Sequence, residues 1–122
     1  MTDLLPVVRD VLKPIGAQIE LSYNNISAEF PLIVLTETSN TSDVITDGTE
    51  WISNIEIQVD IYEFSLKKAV NLAKIVSEKL ISTGFRRTFA QSSKEDDVER
   101  YTLLFSCLLD GDNRIYRGAN LL

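Results

Sequence analysis

The stretch that most constrains the fold runs from Trp51 to Ile81, where one hydrophobic period gives way to another. From Trp51 to Glu63 apolar and polar residues alternate, the period-2 signature of a half-buried strand. Trp51, Ile55, Ile57, Val59 and Ile61 share one face, and Asn54, Glu56, Gln58, Asp60 and Tyr62 share the other. The first face is core; the second is wet or meets a partner. A strand over 51–63 at about 3.3 Å per residue reaches roughly 43 Å. A compact domain of this length is only about 35 Å across. The strand therefore either bends near Ser53-Asn54 or runs beyond its own domain, where a protruding end offers a docking place for another subunit.

Ser65 ends this period and caps the helix expected over 66–82. Leu66, Ala69, Ala73, Val76 and Leu80 form its buried stripe, widened by Leu72, and Gly84 stands where a helix closes with a left-handed residue. At 1.5 Å per residue such a helix is about 25 Å long, a length suited to lying across a sheet.

The other segments read as cover for this pair. Leu4, Val8, Val11, Leu12 and Ile15 mark one face of a helix over 3–15, with Thr2 as its cap and Pro14 and Gly16 as its end. Residues 17–23 alternate as a strand, and Asn24-Asn25 reads as a turn. Leu32-Ile33-Val34-Leu35 is apolar on both faces, so it belongs inside a sheet or is covered twice. Thr36 to Glu50 is polar, and two readings stand side by side: a long mobile hairpin tip turning at Asp47-Gly48, or a loop that orders against a neighbour. Residues 85–92 form another strand. In the last main strand Tyr101, Leu103, Phe105, Cys107 and Leu109 face one way, and the opposite side is half apolar. A turn over Asp110–Asn113, a short strand over 114–117 and a loose tail over 118–122 complete the chain. The expectation is a single α+β domain over 1–122: order α-β-β-β-α-β-β, a mainly antiparallel sheet, helices packed on one face.

Composition narrows the chemistry. A net charge of -6 disfavours nucleic-acid binding. There is no histidine, which removes the commonest general base and the Ser-His and Cys-His nucleophile pairs. The single cysteine, Cys107, excludes a disulfide within the chain and any cysteine-built metal site. No apolar run approaches membrane-spanning length and the N-terminus lacks signal-peptide features, so the chain reads as intracellular or as part of a particle assembled inside a cell.

Candidate sites are weak as chemistry. Asp110-Gly111-Asp112-Asn113-Arg114 fails as a calcium loop, because Arg114 stands at a ligand position and Ile115 replaces the needed glycine. Glu56 and Asp60 are about 13 Å apart along a strand, too wide for a catalytic pair, and read as a solvated face. Phe85 and Phe89 read as core beside Arg86-Arg87, and Cys107 as a small buried hydrophobe. Trp51 is core or an interface anchor. No catalytic, cofactor or metal residue is assigned. The subunit-interface or lumen candidates are Trp51, Asn54, Glu56, Gln58, Asp60 and Tyr62 on the long strand, with Asp43, Asp47 and Glu50 in the polar stretch before it.

One pattern spans residues 3 to 110: a short helix, Phe30-Pro31-Leu32-Ile33-Val34, a Ser/Thr/Asn-rich loop, Ile55-Glu56-Ile57-Gln58-Val59-Asp60-Ile61-Tyr62, a helix with Ala69, Ala73 and Leu80, Gly84-Phe85-Arg86-Arg87, and Arg100-Tyr101 leading into Leu103-Leu104-Phe105. It resembles the tail terminator (tail completion, or tail-to-head joining) proteins of long-tailed bacteriophages and prophages. The resemblance implies a small subunit of the virion that forms a hexameric ring at the head-proximal end of the tail. Its partners would be itself, the tail tube protein and the head connector protein, with DNA passing through unbound and no enzyme activity or cofactor. The alternatives are a head-closure or connector protein of the same particle, and a ferredoxin-like module binding a small ligand.

Overall fold

The structure, a computed structural model, describes residues 4–21, 30–46 and 49–109. Helix α1 (Leu5–Leu12) leads through a 3₁₀ turn, Lys13–Ile15, to strand β1 (Gln18–Leu21). Strands β2 (Leu32–Thr46) and β3 (Thr49–Glu63) follow, then helix α2 (Leu66–Thr83) and strands β4 (Arg86–Glu95) and β5 (Val98–Leu109). The order is the expected α-β-β-β-α-β-β, and the class is α+β. One five-stranded sheet has spatial order β1-β2-β3-β5-β4. β1 and β2 run parallel, and every other neighbouring pair is antiparallel.

Both helices lie on one face of the sheet. Ile55, Ile57, Val59 and Ile61 of β3 are fully buried there, with Leu103 and Phe105 of β5 and Ile33 and Leu35 of β2. Ala69, Ala73, Val76 and Leu80 of α2 pack onto them, and Leu5, Val8 and Leu12 of α1 fill the β1–β2 side. The cluster is continuous, so the two helices close a single core. Among the described residues no helix is long and apolar enough to cross a membrane.

Helix α2 begins and ends as its sequence dictates. Ser65 Oγ accepts the Lys68 N–H at 3.4 Å, and Gly84, at φ +119°, turns its N–H back to the carbonyls of Ile81 and Leu80. Leu66 corrects the expected stripe, since it is 45% exposed. It is the first residue of the helix, at the end of the stripe, and Val70 and Ile81 beside the buried arc are exposed too. Helix α1 is shorter than expected. Pro14 has no N–H for an α-helical bond, and the chain tightens into the 3₁₀ turn before Gly16 closes it at φ +88°. Leu4 occupies the N-cap without a side-chain cap, and Thr2 lies outside the described residues.

The polar stretch 36–46 is strand. β2 continues past its apolar start to Thr46 and pairs with β3 as far as Thr46–Thr49. The turn residues Asp47-Gly48 lie outside the described residues, as do Asn24-Asn25 and everything after Leu109, including the 110–113 turn and the 114–117 strand. β1 covers β2 only at Leu32–Leu35, and β5 covers β3 only from Ser53 onward. The outer end of the β2–β3 hairpin thus runs past the sheet as a two-stranded ribbon. Of the two readings of the long strand, the one in which it runs on is the one seen.

β4 forms the far edge, and every residue from Arg86 to Lys94 is exposed. Phe89 corrects the sequence reading: it is 43% exposed, whereas Phe85 is buried. A bulge at Thr88 is the cause. Arg87 pairs with Phe105 on the helix side, but Phe89 pairs with Leu104 on the opposite side, so the alternation inverts between them.

Phe105→Ala is expected to cost about 3–5 kcal/mol in urea unfolding, because it empties the centre of the core. Leu66→Ala, at the exposed start of the helix, is expected to change stability by no more than about 0.5 kcal/mol.

Candidate functional site: the open sheet face and the projecting hairpin

The face of β3 turned away from the helices carries Asn54, Glu56, Gln58, Asp60 and Tyr62, as the alternation requires. β5 contributes their cross-strand partners: Leu108 opposite Asn54, Ser106 opposite Glu56, Leu104 opposite Gln58, Thr102 opposite Asp60 and Arg100 opposite Tyr62. Asn54 is exposed, and Glu56, Gln58 and Tyr62 are half-buried. Leu104 and Leu108 are half-buried on this side as well, the apolar second face expected of this strand.

Asp60 differs from the solvated residue expected. It is 4% exposed and is the centre of a closed polar network. Its Oδ1 accepts the Arg100 Nε–H at 3.0 Å and the Thr102 hydroxyl at 2.7 Å, and its Oδ2 accepts from Gln58 Nε2 at 2.7 Å. The Arg100 guanidinium also stands over the Tyr62 ring, 5.9 Å from its centroid. Both carboxylate oxygens are engaged, one by a cation, and two of the three bonds tie β3 to β5. Arg100 and Thr102 were invisible as site residues in the sequence, because only the strand register brings them opposite Tyr62 and Asp60.

Glu56 is tied to the hairpin. Thr38 Oγ1 donates to Glu56 Oε1 at 2.7 Å and lies 3.3 Å from the Glu56 carbonyl oxygen. Thr38 is the extra residue of a bulge, since Glu37 pairs with Ile57 and Ser39 with Glu56. Two more bulges follow toward the tip. Asp43 is skipped between Ser42 and Val44, and Trp51 is skipped on β3, where Val44 pairs with Ile52 and Ile45 with Glu50. Bulges twist a ribbon and break its alternation. The structure places Asp43, Glu50 and Trp51 by backbone only, and Asp47 lies outside the described residues.

Cys107 lies on the helix side of β5, buried, and desolvation pushes its thiol up to about 12. It is a core residue held as the neutral thiol. Among the described residues no group of three or more His, Cys, Asp or Glu side chains is placed to hold a metal ion.

No family model matches this chain, and no curated protein matches it. A solved structure does. The fold is similar to that of a chain in "Virion of native gene transfer agent (GTA) particle", with 14% sequence identity and a TM-score of 0.62, covering 83% of this chain and 84% of that chain. At that identity the likeness is one of fold.

Asp60→Ala removes the buried acceptor shared by Arg100, Thr102 and Gln58, and is expected to cost about 1–3 kcal/mol in chemical denaturation. For Cys107, the unfolded thiol ionises near pH 9.0 and the folded one near 12. Its contribution is intact below pH 9 and is lost as pH rises toward 12, because only the unfolded chain then gains the thiolate form. The Cys107→Ala variant should lose less stability than the parent across that window, and a thiol reagent should label the parent only when it is unfolded.

Proposed function

We propose that this chain is a structural protein of a phage-like particle, and within it the tail terminator: a ring subunit at the head-proximal end of the tail tube that ends tube polymerisation and presents the surface to which the head joins. The observation that carries the coarser part is the fold likeness to a virion chain along more than four-fifths of both molecules. The finer part is supported by the tail-terminator pattern from the first helix through Arg100-Tyr101. A hairpin running past its sheet, a fully exposed edge strand and an open face with half-buried leucines are also what a ring subunit needs in order to meet neighbours.

In this reading the chain performs no catalysis and needs no cofactor. The polar network on the open face is structural, and the buried thiol has lost its nucleophilic form at neutral pH. The working assembly is a hexamer in the virion, in contact with the tail tube protein and the head connector protein, with DNA passing through its lumen. A ferredoxin-like ligand module has the order β-α-β-β-α-β. Here three consecutive strands separate the two helices, so that reading gains no support.

Removing the chain from a particle-producing cell distinguishes the remaining roles. A terminator's absence should give tail tubes of uncontrolled length and unjoined heads. Tubes of normal length beside unjoined heads would assign the chain to head closure instead. Normal, complete particles would overturn both readings.

A further inference from the structure

Among the described residues, two stretches of unpartnered strand edge are similar in length and opposite in charge. One edge is β4, exposed from Arg86 to Lys94. The other is the outer part of β2, from Thr36 to Thr46, which no strand among the described residues covers on its far side. Within a chain of net charge -6, β4 carries Arg86, Arg87 and Lys94 against Glu95, three positive charges less one negative, or +2. Residues 36–46 carry Glu37 and Asp43 and no lysine or arginine, or -2.

We propose that the β4 edge of one copy pairs, antiparallel, with the outer β2 edge of the next copy, so that the sheet continues from subunit to subunit. The occupant is a second copy because the two edges complement each other and neither complements itself. The pairing deepens the ring reading above and rests on it.

Direction and register agree with this. In the sheet order β2-β3-β5-β4 each step is antiparallel, so β4 runs opposite to β2. A following copy in the same orientation therefore presents its β2 antiparallel to β4. Laid along the full length, Arg86-Arg87 falls beside the tip half that carries Asp43, and Lys94 beside Glu37. Arg86 stands level with Glu56 through Ser106, while Thr46 stands level with Thr49. Joining the two edges therefore staggers neighbours by about seven residues, the kind of shear that tilts strands when a sheet closes on itself. The contact is heterologous, the type that generates rings when its rotation closes. Lysines, arginines and a bulge on an edge strand also guard against uncontrolled pairing. Here the guard becomes selective, because the matching edge is acidic.

Charge exchange tests the contact. One variant carries R86E, R87E and K94E on β4; a second carries E37K and D43K on β2. Thermal melts first establish that both are folded. By analytical ultracentrifugation at low salt and protein concentrations up to about 1 mM, the parent should self-associate, and each variant alone should do so at least about tenfold more weakly, since like charges then face each other. Mixed in equal amounts, the variants should recover association to within about threefold of the parent, because every interface again pairs opposite charges. A parent that stays monomeric, variants that associate as the parent does, or a mixture that fails to recover would overturn the pairing. If the chain is nonetheless found in purified particles, the role in the particle stands and only this contact falls.

Discussion

The structure depends on the contact between the buried face of β3 and helix α2. Ile55, Ile57, Val59 and Ile61 are sealed from solvent, and Ala69, Ala73, Val76 and Leu80 lie over them. Two alanines on the helix let it sit close to a β-branched ridge, and hydrophobic burial on this scale is the main term opposing chain entropy. β3 is also the central strand, with β2 on one side and β5 on the other. β2 and β5 take their register from it directly, and β1 and β4 through them.

That centre explains why the opposite face is polar and still ordered. A strand buried on one side and facing outward on the other needs its outer groups either hydrated or satisfied. Gln58, Arg100 and Thr102 satisfy Asp60, and Thr38 satisfies Glu56. The Arg100, Thr102 and Thr38 bonds run from β3 to β5 and to β2, so they fix cross-strand register in the plane where the helices exert no hold. The half-buried Leu104 and Leu108 beside them make this face neither a second core nor a fully wetted surface.

The edges follow from the same geometry. Helices α1 and α2 cover one face and leave the perimeter open, and the hairpin outruns both β1 and β5. A single copy cannot satisfy the outer backbone groups of β4 or of distal β2 with its described strands. Solvent or another subunit must, and in the proposed pairing the opposite charge of the two edges favours a neighbour of the same kind.

Local periodicity alone determined much of this: the half-buried strand over 51–63, the helix after Ser65 closed by Gly84, the inward side of β5, the interior position of Leu32–Leu35 and the α+β order. These properties depend on neighbours two to four residues away, which the sequence displays directly. The tertiary structure decided what depends on distant partners. The polar run 36–46 became strand because β3 supplies its hydrogen bonds, not because its own residues favour the state. Phe89 turned outward because a bulge breaks an alternation that sequence counting assumes unbroken. Asp60 was buried because Arg100 and Thr102, forty and more residues away, are brought opposite it by the β3–β5 register.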